Sequence, residues 1–211
     1  MDNGPVDNGP VSTERDDDSP DSGPDDQVRE GAPERGGLGR KRGLILVVAA
    51  LLVYAADLVT KIIVTASLAG EAPIRLLGGA VYLQLVRNPG AAFSMATGMT
   101  WLFTLIAAGV VVAIIWILPK LRSTGWALGL GLVLAGAMGN LTDRIFRAPA
   151  VFQGHVVDFV SVFAPDGDFF PVFNVADAGI SVGGVLIVVM ALLGRDYDGT
   201  ITRKPRKEED A

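Results

Sequence analysis

Long apolar runs separated by polar stretches dominate this chain, and the alternation predicts four membrane-crossing helices. The first run, LILVVAALLVYAADLVTKIIV, covers 44–64. At a 1.5 Å rise per residue it is long enough for a hydrocarbon core of about 30 Å. The second, WLFTLIAAGVVVAIIWIL, covers 101–118. A third extends over about 126–142, with small residues suited to close helix packing, and a fourth over about 175–194. Between the first two lies IRLLGGAVYLQLV (74–86), β-prone residues broken by Gly78-Gly79, which predicts a small sheet at the membrane surface.

Charge orients these spans. Arg40, Lys41 and Arg42 precede the first; Lys120 and Arg122 follow the second; Arg195 and the RKPRK of 203–207 follow the fourth. With four spans these clusters share one side, and the positive-inside rule makes it cytoplasmic. Both termini are then inside, and the connections 69–100 and 143–174 face outward. The expected fold class is an α-helical membrane protein: four transmembrane helices, a small extracytoplasmic β-sheet and a loop/helix cap.

Composition changes the picture mainly at the ends. Mean hydropathy is +0.41 over 211 residues, but residues 1–43 carry eight Asp and three Glu against five Arg and one Lys, a net of −5. The remaining residues balance twelve acids with twelve bases, so the acidic pI describes the tail and not the core. The tail opens with a tandem DNGPV at 2–6 and 7–11 and has too few apolar residues to offset its ordering entropy. Three regions are expected: a disordered acidic tail (1–43), a four-helix transmembrane domain (44–195) and a charged cytoplasmic tail (196–211). Cys is absent, which excludes disulfides and cysteine nucleophiles, and His155 stands alone, which excludes multi-histidine metal sites. No basic patch interleaved with aromatics supports nucleic-acid binding.

Several acids lie against this apolar background. An Asp at the centre of a membrane helix costs about 2.5–3.5 kcal/mol on insertion scales, so such residues point to a use. Asn174-Val-Ala-Asp177 opens the fourth span in a capping arrangement; a catalytic carboxylate at the same place is compatible with that role. Asp158, inside HVVDFV, should point into a polar cleft or pair with Arg144 or Arg147. Asp143 and Arg144, at the outer end of the third span, read most simply as interface anchors, and Arg144 could also orient a carboxylate or a carbonyl. Asp57 and Lys61 are spaced i, i+4 and read as a mutually neutralising pair near the same cluster. Two carboxyls held together away from water cannot both ionise easily: one keeps a proton while the other serves as base on a water between them. Asp158 and Asp177 fit that arrangement, which needs neither metal nor nucleophilic side chain.

The blocks DLVTK (57–61), NPGAAFS (88–94), GNLTDR (139–144), HVVDF (155–159) and FNVAD (173–177) resemble, in order, those of the lipoprotein signal peptidase family (signal peptidase II), integral-membrane aspartic endopeptidases. The resemblance covers about residues 43–195. It implies that Asp158 and Asp177 are the catalytic pair, with Asn88, Asn140, Asp143, Arg144 and Asn174 around the cleft and Asp57 and Lys61 lower on the first helix. Ala178 stands where a Ser often follows the second Asp, which removes one local hydrogen bond. The implied reaction removes the signal peptide of a prolipoprotein just before its diacylglyceryl-modified cysteine, in a bacterial plasma membrane, on the extracytoplasmic side. The implied partners are diacylglyceryl-prolipoproteins and membrane lipid; no cofactor and no metal are required, and a monomer is expected. The exposed part of 74–94 is expected to act as a flap. The rival reading is a small proton-coupled transporter, which predicts acids near the bilayer midplane and inverted repeats. A structural subunit whose polar residues only cap helices is a third.

Overall fold

The structure, a computed structural model, describes residues 35–90 and 100–202. Among these residues four α-helices form: α1 (Arg35–Ser67), α2 (Thr100–Ile117), α3 (Thr124–Phe146) and α4 (Val175–Leu192). Each contains a window long and apolar enough to cross a membrane. The described residues also hold three strands: β1 (Ile74–Leu76), β2 (Val81–Asn88) and β3 (Val156–Val162).

The centre of the bundle is α3. Over half of its apolar window, 56%, is buried, against 11–22% in the other three helices, so α1, α2 and α4 surround it. Its composition makes this possible, because Ala127, Gly129, Gly131, Ala135, Gly136 and Gly139 let neighbouring backbones approach. A Cβ on Gly136 would fall 2.2 Å from the carbonyl oxygen of Ala176, which brings the first turn of α4 hard against α3. Towards the far end, Leu46, Ile114, Leu121, Ala127 and Leu130 form one core cluster. The outward faces remain apolar, as at Leu52, Ile62, Val112, Trp116, Val182 and Leu192, which suits lipid rather than water.

The sheet sits at the end of the bundle where α1 and α3 finish and α2 and α4 begin. It is antiparallel, in the order β1-β2-β3. Gly78 and Gly79 turn between β1 and β2 with positive φ. The β2–β3 pairing shifts register between Leu83 and Val86, and beyond it Val86 faces Asp158 and Asn88 faces Val156. Val64, Leu68, Val157 and Phe159 pack the sheet onto the end of α1.

Three boundaries differ from the sequence expectation. Residues 35–43, assigned with the disordered tail, are helical, because a nucleated helix propagates into flanking residues of modest propensity; residues 1–34 lie outside the described residues. The third span runs past 142 to Phe146, which keeps Asp143 and Arg144 inside the helix. The start of the 196–211 tail is folded: the backbone N–H groups of Arg122 and Ser123 donate to the Tyr197 carbonyl at 2.7 and 3.2 Å, and Trp126 Nε1 donates to that of Arg195 at 2.8 Å. Residues 203–211 are not among those described.

Candidate active site

Two elements distant in sequence present the acids. Asp158 lies mid-way along β3, and its side chain is 1% exposed. Asp177 occupies the first turn of α4 and is half-buried. Alternation along β3 turns residue 158 to the face that carries Asn88 on the neighbouring strand, and Asn88 Nδ2 donates to Asp158 Oδ2 at 2.9 Å. Asn88 is itself held, because its Oδ1 accepts the N–H of Gly90 at 2.8 Å.

Asn174 joins the two acids. As the N-cap of α4 its Oδ1 accepts the N–H of Asp177 at 2.9 Å, while Asp177 Oδ2 accepts the N–H of Asn174 at 3.2 Å. This is the capping box expected from sequence. Its Nδ2 simultaneously donates to Asp158 Oδ1 at 2.7 Å. One buried amide therefore caps the helix that carries one carboxyl and holds the other. The capping and catalytic readings of Asp177 coexist in the same geometry.

Below the acids lies a second layer. Asn140 Nδ2 donates to Asp177 Oδ1 at 2.8 Å, and Asn140 Oδ1 accepts from Lys61 Nζ at 3.1 Å and from Asn174 Nδ2 at 3.2 Å. Lys61 is ion-paired with Asp57 at 2.8 Å, as expected, and also with Asp143 at 2.9 Å, which the i, i+4 spacing could not show. Asp143 accepts from Arg147 and from the N–H of Val157, the latter at 3.1 Å.

Two expectations are corrected here. Asp143 and Arg144 are not interface anchors: they are 1% and 9% exposed and turn inward from α3. Asp158 does not pair with Arg147, whose partner is Asp143 on the same helix. Arg144 Nη1 donates to the Asn140 carbonyl at 3.3 Å, and its guanidinium stands 5.7 Å from the centre of the Phe103 ring. Sequence reading missed Phe103, which looks like any lipid-facing aromatic of α2 yet lies under the Arg144 guanidinium and lines a groove beside Asn140.

Two grooves flank the acids. One, of about 450 Å³, runs along Asn88, Phe170–Phe173, Asp177, Ala178 and Val182. The other, of about 240 Å³, is lined by Phe103, Ala137, Asn140, Arg144 and Ile180, among others. Ala178 lies exposed in the first, so the missing serine hydroxyl leaves no buried gap. Residues 91–94 of the expected flap lie outside the described residues.

Burial and charge both act on the Asp158 carboxyl. Burial first, and then the nearby charge of Asp177, pushes Asp158 up to about 7, against hydrogen bonds from Asn88 and Asn174 and the charge of Lys61. Among the described residues no group of His, Cys, Asp and Glu has the arrangement to hold a metal ion.

The sequence model described as Signal peptidase (SPase) II matches residues 49–193. The chain belongs to that family. Among similar proteins, the lipoprotein signal peptidase of Rhodococcus jostii (strain RHA1) is 53% identical over 189 residues, covering 90% of this chain and 92% of its own. That of Mycobacterium avium (strain 104) is 50% identical over 170 residues, covering 81% and 90%. A bacterial membrane enzyme solved by the in meso method at 1.9 Å resolution superposes with a TM-score of 0.60 at 28% identity, over 70% of this chain and 92% of that one. The chain is therefore a peptidase of the signal peptidase II family with that membrane-enzyme fold, and the transporter reading finds no support.

Proposed function

We propose that the chain removes signal peptides from prolipoproteins, hydrolysing the bond before a diacylglyceryl-modified cysteine, with Asp158 and Asp177 as an acid/base pair. The observation that carries the reading is the Asn174 bridge. Asn174 holds both carboxyls: its Nδ2 donates to Asp158 Oδ1 at 2.7 Å and its backbone N–H to Asp177 Oδ2 at 3.2 Å, while its Oδ1 caps the helix at the Asp177 N–H. A dyad of this kind works by dividing roles. Asp158, whose burial favours the neutral form, donates its proton to the substrate carbonyl oxygen as water adds to the carbonyl carbon. Asp177, which accepts from Asn140 and from the N–H of Asn174, takes the proton of the attacking water and passes it to the leaving amine, while the gem-diol returns a proton to Asp158 as the carbonyl re-forms.

Position follows from charge and lipid. Arg40, Lys41, Arg42, Lys120, Arg122 and Arg195 gather at the end of the bundle opposite the sheet, so the positive-inside rule puts both termini in the cytoplasm and the dyad on the extracytoplasmic side. The signal helix enters from the bilayer, and the diacylglyceryl group stays in the outer leaflet. That anchoring holds the scissile bond level with the acids. The 450 Å³ groove reaches Asp177 and gives the extended backbone a place to lie, with Asn88 at its polar edge.

The test uses purified protein in lipid nanodiscs and one prolipoprotein prepared with and without its diacylglyceryl group. Release of the signal peptide from the lipidated form alone is expected, with no metal or nucleotide added. Equal cleavage of both forms would remove the lipid from the recognition argument, and cleavage of neither would remove the function.

A further inference from the structure

Lys61 takes no part in the proton transfers above, yet it is the charge from which the whole site hangs. An ammonium has three N–H donors and no acceptor. Its Nζ meets three oxygens, as an ion pair with Asp57 Oδ2 at 2.8 Å and with Asp143 Oδ2 at 2.9 Å and as a hydrogen bond to Asn140 Oδ1 at 3.1 Å, with no solvent exposure at the lysine. What these partners do next is the informative part. Asp57 Oδ1 accepts the backbone N–H of Ala176 at 2.9 Å, and Asp143 Oδ2 accepts that of Val157 at 3.1 Å. Ala176 and Val157 are the residues immediately before Asp177 and Asp158. A single cation thus grips, through one carboxylate each, the peptide units that carry both acids.

The third arm sets an orientation. Because Lys61 can only donate, Asn140 must turn its oxygen inward, and its Nδ2 then points at Asp177 Oδ1, 2.8 Å away. A pair serving only to neutralise buried charge would need none of this. The helices also make room for it: a Cβ on Gly139 would lie 2.4 Å from Asp57 Oδ2.

We infer that Lys61 is a positioning residue for the reaction: through Asp57, Asp143 and Asn140 it fixes the spacing of β3 and α4 at the dyad and keeps an N–H donor aimed at Asp177. The inference rests on the dyad reading above. Removing Lys61 alone would strand two buried carboxylates and endanger folding. The informative variant is therefore D57N/K61M/D143N, which removes the three charges together and leaves an amide oxygen for each backbone N–H. Signal-peptide release from the lipidated prolipoprotein is measured under saturating and limiting substrate, alongside thermal unfolding and an Asp158→Asn arm. The triple variant is expected to unfold cooperatively and keep KM within about twofold, while kcat falls roughly 100-fold, the cost of a misplacement of about 1 Å. A folded triple variant with wild-type kcat would reduce Lys61 to a neutralising partner and overturn the inference. If the triple variant does not fold, Asn140→Asp decides: it keeps an oxygen towards Lys61 and loses the N–H towards Asp177, and an unchanged kcat would overturn the inference. Turnover by the Asp158→Asn arm would sink the dyad reading instead, a separate outcome.

Discussion

Replacing Asp158 with Asn should change stability in opposite directions at the two ends of the pH range. In the folded chain burial holds this carboxyl near 7, against its ordinary 3.8. Below about pH 4 the folded and unfolded forms are both protonated, and Asp158 carries no ionisation penalty. Between those values the unfolded chain releases the proton and the folded chain keeps it, so stability falls as pH rises. The loss is complete above about pH 7 and amounts to about 4 kcal/mol at 1.36 kcal/mol per pH unit. Asparagine does not titrate and escapes it. The substitution has its own cost, because its new NH2 must face the Nδ2 of either Asn88 or Asn174, a donor against a donor worth about 1–3 kcal/mol. The variant should therefore be less stable than wild type at pH 4 and more stable at pH 8, by about 1–3 kcal/mol each way. The matching swing in melting temperature is on the order of 10 °C. Thermal unfolding in detergent micelles, followed by the fluorescence of Trp101, Trp116 and Trp126 across pH 4–8.5, measures it. A stability difference that does not change with pH, or one that grows towards acid, would refute the argument.

Three further outcomes follow from the same geometry. Because Asp158 must hold its proton to act as the acid, kcat/KM should fall as pH rises above about 7, where this carboxyl ionises; a rate that instead rises through pH 7 would reverse the acid and base assignments. Asn174→Ala removes a helix cap and the donor to Asp158, so it should cost about 2–4 kcal/mol of stability and at least about 100-fold in kcat, whereas Asn174→Asp should keep the cap and lose the activity; the pair is read by melting and turnover together. Gly136→Val should force α4 away from α3 at the Ala176 carbonyl, destabilising the bundle by about 1–3 kcal/mol and abolishing turnover, while the same change at Gly184, where open space would receive the side chain, should be nearly silent.

Much of this site can be read from the sequence because acids stand out against lipid-seeking residues. Asp158 among β-branched neighbours and Asp177 three residues after Asn174 are local signals, and the cap and the strand placement both follow from them. What could not be read is what depends on distant residues meeting. Asp57 and Lys61 announce each other by helical spacing, but nothing in the chain says that Asp143, eighty-two positions on, completes the ion cluster. The same ignorance turned Asp143 and Arg144 into expected surface anchors, since inward or outward aim at a helix end depends on which neighbour packs there. β2 was legible as an extended stretch, yet its partner β3 and the register shift between them arise from tertiary pairing. The folded start of the C-terminal segment rests on backbone groups of residues 122 and 123, which carry no composition signal.

The most direct test of the central claim is a single-turnover cleavage assay on purified wild type, Asp158→Asn and Asp177→Asn with a diacylglyceryl-prolipoprotein, each protein first shown to unfold cooperatively. The two-carboxyl account predicts that the wild type releases the signal peptide and that both folded variants release none above background. Measurable turnover by either folded variant would contradict it.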